Sequence, residues 1–396
     1  MILNPKTSEK LERYFLSVIN GQRAGRGPNL LRAVLKQLSY VYGFGVTIWH
    51  FLYKKGIFRH HTLGCQVISI GNLTVGGTGK TPIVEIFARA LQKEGRKVAI
   101  LSRGYKKMEH SLWKQVLDTL TGRESRRPPR VVSDGTALLL DSVMSGDEPY
   151  MLASNLPDVA VLVDKDRVKS GRYAINKLKC DTLVLDDGFQ YRTLKHRVDI
   201  VLVDCTNPFS NGYVLPRGVL REPVKDIKRA DFIFITKSTG KEAEKLKQNL
   251  HSLNPQAEIS ECVHKAKYLQ NVYTSQRREL SFLNGRRVAA VTGIAIPTGF
   301  ENEIRRLGAI LAYAKRFADH HRYTQQEIID IINKTKERNI ELIITTEKDA
   351  VRFPKIERQD VSIYFLRVEI ELLSGVEDFN ACISRICFRE RPAGQE

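Results

Sequence analysis

Between Gln66 and Pro82 the chain reads QVISIGNLTVGGTGKTP, and the order of residue types carries chemistry. An apolar β-type run enters a glycine-rich turn, the turn ends Gly79-Lys80-Thr81, and an amphipathic helical pattern follows, with Pro82 suited to its first turn. Glycines let successive backbone N–H groups converge on phosphate oxygens, and a helix N-terminus adds a favourable dipole. Thr74, Val75, Gly76, Gly77, Thr78, Gly79, Lys80 and Thr81 are therefore the candidate phosphate loop of an ATP site. Lys80 would neutralise charge on the β- and γ-phosphates, and the Thr81 hydroxyl would join a Mg²⁺ shell. The usual motif has a glycine five positions before Gly79, where this chain has Thr74; Gly76 and Gly77 supply the freedom instead. The loop implies nucleotide binding and leaves the acceptor open.

Thr182-Leu-Val-Leu-Asp-Asp-Gly-Phe-Gln190 is a buried-type strand ending in two carboxylates, Asp186 and Asp187. Paired acids at the carboxyl end of a strand, in the same domain as a phosphate loop, suit Mg²⁺ ligation directly or through water. Gly146-Asp147-Glu148-Pro149 offers another carboxylate in a loop, and Asp319-His320-His321-Arg322-Tyr323 lies far along the chain. A His–Asp pair joined across a cleft would suit deprotonation of an alcohol, because imidazole titrates near neutrality and a carboxylate can orient it. Adjacent histidines by themselves more often serve structural or surface ends, and no further ligands stand at a metal-binding spacing.

The elements that must position these residues follow from periodicity. Val67–Ile70, Val98–Leu101, Val159–Val163, Thr182–Leu185, Ile200–Val203 and Phe232–Ile235 read as short strands, with helical stretches such as Ile83–Glu94 and Lys169–Leu178 between them. That alternation predicts a mainly parallel sheet covered by helices. Residues 106–135 read as an exposed charged loop or small insertion. A second α/β unit is expected after the polar stretch Thr274–Arg278, with strands at Arg287–Thr292 and Leu342–Thr345 and helices at Gly299–Leu307 and Gln325–Lys336.

With 396 residues, 42% hydrophobic and 27% charged, the chain can bury a sizeable core, which excludes disorder as a whole-chain description. Its formal net charge of +19 points to an anionic partner: nucleic acid, a membrane surface or a phosphorylated substrate. No nucleic-acid-binding module or stacking motif is present to favour the first. The first sixty residues hold ten basic side chains against two acidic ones. Leu38–Tyr53 is an uncharged, aromatic-rich run of 16 residues, bracketed by Arg32, Lys36, Lys54 and Lys55. A spanning helix needs roughly 20 apolar residues, so this segment is expected to lie in a membrane interface. Six scattered cysteines without a CxxC pair fit a reducing compartment, and no signal-peptide pattern is evident.

Together these residues resemble the tetraacyldisaccharide 4'-kinases, the lipid A 4'-kinases. The likeness runs from about Gln66 to about Arg352 and rests on an ordered series. After the phosphate loop come Ser102-Arg-Gly-Tyr105, Gly146-Asp-Glu-Pro149, Asp166-Arg167 and Asp186-Asp-Gly-Phe-Gln190. Leu215-Pro216, Leu220-Arg-Glu-Pro223, Asp319-His320 and Thr346-Glu-Lys-Asp349 follow. Thr74 is normal in that family; Tyr191 stands where family members commonly carry His. The resemblance implies two α/β domains with the active site between them, and phosphorylation of the 4'-hydroxyl of a membrane-bound tetraacyldisaccharide 1-phosphate by ATP and Mg²⁺. It makes Asp147 and His320 the catalytic pair and puts Asp186 and Asp187 near Mg²⁺ with Thr81. Arg103, Arg167, Gln190, Arg221 and Glu222 become candidates for holding the glycolipid.

The expected fold is thus a parallel-sheet domain of P-loop NTPase type (61–275), a smaller α/β domain (276–396) and a basic, apolar N-terminal membrane-associating segment (1–60) that carries a membrane-interface helix. It would work at the cytoplasmic face of the bacterial inner membrane as a peripheral or monotopic protein, against an anionic surface and without nucleic acid. The alternative from another class is a P-loop switch or assembly ATPase acting on a protein or nucleic-acid partner.

Overall fold

The computed structural model describes residues 14, 17–19, 21–76, 79–104, 127–238, 240–357 and 360–387. Gly77 and Thr78 of the candidate loop lie outside the described residues, as do Tyr105 and residues 106–126 of the charged stretch. The chain gathers into two compact units, each built from separate segments: Met1–Lys80 with Asp181–Val263 and Leu372–Glu396, and Thr81–Cys180 with His264–Glu371.

In the first unit a parallel sheet runs in the order 258–263, Phe232–Thr236, Val198–Asp204, Gln66–Asn72 and Thr182–Asp186. Thr182–Asp186 and Phe232–Thr236 are buried along their whole length, as parallel strands covered on both faces must be. Val201, Val203, Ile233 and Ile235 form one face of the core with Leu246 and Leu250 of the helix Gly240–Leu253. Gln66–Asn72 lies inside the sheet, and Ile70 is in register with both Asp186 and Ile200. The loop after Asn72 and the turn after Asp186 therefore leave the sheet at the same carboxyl edge, where parallel sheets collect ligands.

The helix Arg26–Lys54 belongs to this unit. Its inner side is fixed by Leu35, Ser39, His50 and Tyr53: the Ser39 hydroxyl donates to the Val214 carbonyl (2.5 Å), and the Tyr42 hydroxyl donates to the Arg221 carbonyl (3.0 Å). Leu30, Val34, Leu38, Val41, Phe44, Ile48 and Phe51 recur at steps of three and four, which puts them on the opposite face. That whole stripe is exposed, up to 70% at Val41 and 67% at Phe44. Among the described residues, no helix is long and apolar enough to cross a membrane.

The second unit holds a parallel run ordered Ile310–Arg316, Arg287–Thr292, Leu342–Thr346 and 362–371. The helix Gln325–Glu337 starts with a capping box, Thr324 bonding the Glu327 N–H and Glu327 reaching back, which satisfies two otherwise orphaned donors. Also in this unit Val98–Ser102 pairs parallel with Ala160–Val163, which pairs antiparallel with Arg130–Asp134. The last strand corrects the expectation of a loop through 106–135. Val131 and Val132 carry enough β-preference to pair once a partner edge is available, and the basic residues before them masked that signal.

Candidate active site

Asn72, the last residue of its strand, is the hub of a charged cluster in the first unit. Lys80, at the start of the helix Lys80–Lys93, donates from Nζ to Asn72 Oδ1 (3.2 Å) and stands 3.4 Å from Asp187 Oδ1. Arg221 grips Asp187 as a fork, Nη1 to Oδ2 and Nη2 to Oδ1, both at 2.8 Å, and Nη2 also bonds Asn72 Oδ1. Gln190 donates from Nε2 to the Asn72 carbonyl (3.1 Å). Burial alone would raise the Asp187 carboxyl, but the bonds from Arg221 and the charge of Lys80 outweigh it and hold the group well below the usual carboxylate range. Gly79 turns the chain into the helix at φ 80°, a conformation that suits glycine and strains other residues.

A second cluster lies in the other unit. Asp147 is the first residue of the helix Asp147–Asn155, where the helix dipole favours a carboxylate. Its Oδ2 is 3.3 Å from His320 Nδ1 and accepts from Arg352 Nε (2.8 Å), while Oδ1 accepts from Arg322 Nη2 (3.0 Å). Burial pushes this carboxyl up; the His320 bond and the Arg352 and Arg322 charges reverse the balance, so it lies below its ordinary value. The Arg352 side chain is fully buried and also reaches Asp349 Oδ1 (3.2 Å) and the Gly293 carbonyl (3.2 Å).

His320 sits at φ 61°, a left-handed conformation that costs free energy unless its surroundings fix it. Its N–H bonds the Gly293 carbonyl (3.2 Å) and Asp319 Oδ1 (2.9 Å). A side chain at 293 would be crowded, since a Cβ there would lie 3.0 Å from Asp349 Oδ1 and 3.1 Å from both the Ala318 carbonyl and the Tyr323 hydroxyl, so these neighbours would have to give. Of the two adjacent histidines, His321 faces elsewhere: it stacks on Phe317 (4.6 Å between centroids), and its Nε2 is 3.1 Å from the Glu327 carboxylate.

The other expected residues are dispersed. Asp186 is buried at its strand end, and Thr81 is in the first turn of the helix after the loop. Arg103 is exposed just beyond Val98–Ser102, and Arg167 is buried at the start of the helix Arg167–Asn176, behind the Asp166 cap. Glu222 is only 3% exposed and is held by Arg229 and by His50 Nε2 (3.3 Å). His50 Nδ1 lies 3.5 Å from Asp226, so the three residues present ligand atoms within 4.8 Å of one another. One ring with its two nitrogens facing two different carboxylates suits an imidazolium donating two bonds better than a single ion, which can take only one ring nitrogen. Sequence reasoning gave no role to Asn72, Arg322, Lys348 or Arg352. Asn72, Arg322 and Lys348 lie inside motifs already quoted, and Arg352 lies three residues past the last of them.

A parallel sheet whose strand feeds a lysine-bearing phosphate loop, in a chain that also carries a carboxylate-held imidazole, defines a P-loop kinase. A family model described as Tetraacyldisaccharide-1-P 4'-kinase matches residues 31–387, and the chain belongs to that family. Tetraacyldisaccharide 4'-kinases of Syntrophus aciditrophicus and Anaeromyxobacter dehalogenans are among its relatives. The first is 35% identical over 89% of this chain and 92% of its own length; the second is 38% identical over 84% and 85%. The crystal structure of LpxK from Aquifex aeolicus in complex with ATP superposes with a TM-score of 0.70 at 28% identity, covering 90% of this chain and all of that one. The protein is therefore an ATP-dependent kinase that phosphorylates the 4'-hydroxyl of tetraacyldisaccharide 1-phosphate, a lipid A precursor.

Proposed function

We propose that the two clusters divide this transfer between them. The backbone of residues 74–81 and the Lys80 ammonium hold the β- and γ-phosphates. Thr81 and Asp186 offer the hard oxygens that Mg²⁺ prefers; both Asp187 oxygens are engaged by Arg221, so Asp187 serves mainly to fix Arg221 and Lys80. When bound, the ion neutralises charge on the phosphate oxygens. His320 takes the 4'-hydroxyl proton at Nε2 as the oxygen attacks the γ-phosphorus, with Asp147 holding Nδ1–H. The observation that carries this reading is the imidazole held by a half-buried carboxylate that two arginines themselves fix.

Arg221 and Gln190, held at Asn72, suit the phosphate or sugar hydroxyls of the glycolipid. Exposed Arg103 is a further candidate for its phosphate, whereas the burial of Arg167 and Glu222 suits a supporting role for each rather than direct contact. The exposed apolar stripe on Arg26–Lys54, flanked by basic residues, suits docking on the anionic cytoplasmic face of the inner membrane without crossing it. The test is an ATP-dependent mass gain of one phosphate on a tetraacyldisaccharide 1-phosphate, run beside His320→Ala. Release of inorganic phosphate with no phosphorylated lipid would refute the assignment.

A further inference from the structure

Lys348 lies in the short helix Glu347–Ala350, and its place there is tightly set. The Thr346 hydroxyl accepts from the Asp349 N–H (3.1 Å) and donates to the Asp349 carboxylate (2.7 Å). Fully buried Asp349 also takes bonds from the Gly293 N–H (3.0 Å), the Tyr323 hydroxyl (3.0 Å) and Arg352 (3.2 Å). Glu347 is engaged by Arg367 (2.8 Å) and Asn155 (2.7 Å). The turn is thus pinned on either side of Lys348, whose ammonium stands 3.3 Å from His320 Nε2.

The carboxylates nearest that ammonium, Glu148 and Asp319, are both at 3.9 Å, beyond hydrogen-bond distance. An ammonium carries three N–H donors, and among the described residues only the imidazole takes one of them. Nδ1 is flanked by Asp147 (3.3 Å) and Arg352 Nη2 (3.2 Å), so Nε2, which the ammonium borders, is the nitrogen placed to meet the acceptor hydroxyl. A hydroxyl oxygen must come within about 2.6–3.2 Å of that nitrogen, where it takes the ammonium's N–H in place of the ring, and the Nε2 lone pair is released to receive the hydroxyl proton.

We propose that Lys348 is a further catalytic residue, whose ammonium contacts the attacking oxygen and the oxygens of the phosphoryl group in transit. The inference rests on the reading of His320 as the base. In the step, the hydroxyl proton passes to Nε2, the new O–P bond forms, and the bond from the γ-phosphorus to the β–γ bridging oxygen breaks with its electron pair leaving on ADP. Lys348 exchanges no proton. It supplies fixed positive charge where negative charge spreads over the phosphoryl oxygens.

The experiment compares Lys348→Met, Lys348→Gln and Lys348→Arg by kcat, by KM for each substrate and by thermal melting, beside His320→Ala. The neutral variants should melt like the parent, keep KM for ATP within a few-fold and lose about 10²–10³ in kcat, as removal of a transition-state donor does. Lys348→Arg should recover at least part of that loss. Near-normal kcat in the folded neutral variants, a loss confined to KM, or an arginine variant no better than methionine would each overturn the proposal. If His320→Ala is also near normal, the base assignment itself falls and takes this inference with it. If His320→Ala is impaired and Lys348→Met is not, only the role of Lys348 is lost.

Discussion

Lys80 and Arg221 meet at one carboxylate, so the proposed site holds two cations at fixed places, one assigned to the nucleotide phosphates and one to the glycolipid. Such preorganised charge is what phosphoryl transfer needs, since little covalent work falls to the protein. Lys80→Ala should leave the fold intact and abolish transfer by several powers of ten, each about 1.4 kcal/mol; turnover by the folded variant checks this. Asp147 and His320 call for a double-mutant comparison. Either alanine variant should lose about 10²–10⁴ in turnover, as removal of a general base does. If the carboxylate works by orienting the ring, the double variant should be little worse than the worse single one. His321→Ala should cost far less turnover, because its ring is packed on Phe317 and its nitrogen faces Glu327. Losses that multiply would mean two independent residues, and an essential His321 would mean the wrong imidazole.

Among the elements, the helix Arg26–Lys54 is tied to its unit by a titratable contact. Burial would lower the His50 ring's affinity for a proton, but the bonds to Asp226 and Glu222 outweigh it, against opposition from Arg229, and the pKa is raised. A folded-state value above the unfolded one means the contact stabilises fully below the unfolded value of about 6.5 and fades as pH rises through the folded one. His50→Gln should therefore lower unfolding free energy at about pH 5.5 by on the order of 1 kcal/mol, and by much less well above the folded value. Equal losses at both ends, by chemical denaturation, would show that packing rather than charge is what the ring supplies.

This scale also shows what could be read beforehand. The phosphate loop and Arg287–Thr292 were legible because loop chemistry and strand periodicity are local. Glu258–Asn271 escaped because Glu261, His264, Lys265 and Lys267 interrupt its apolar residues, and only its neighbours make a strand of it. The Asp147–His320 pairing came from family resemblance, since 173 positions separate the two and no local pattern links them. Arg352 and Lys348 were still less visible: their roles depend on which atoms the Thr346–Asp349 turn faces, and that is set by tertiary packing.

For the molecule as a whole, a net charge of +19 and an uncovered apolar stripe make different contributions to one behaviour, and they can be separated. Attraction between basic side chains and anionic lipid acts over a Debye length of about 8–10 Å and weakens with salt. Burial of the stripe in the headgroup boundary depends on apolar area and resists salt. Vesicles rich in anionic lipid should therefore bind the protein strongly at low ionic strength and retain a weaker, salt-resistant fraction. Val41→Asp and Phe44→Asp remove exposed apolar surface without touching the inner side formed by Leu35, Ser39 and Tyr53, so folding should be unchanged. Each forfeits burial of one large side chain, about 1.5–3 kcal/mol, and should weaken the salt-resistant binding about tenfold or more. Turnover of a short-chain soluble acceptor should stay near that of the parent, while turnover of the acceptor embedded in vesicles should fall with binding. Unchanged vesicle binding would refute the docking role of the stripe, and an equal loss on the soluble acceptor would show that the helix serves the catalytic unit instead. Protease cleavage of the reconstituted protein from both sides of the bilayer would refute the claim that it does not cross.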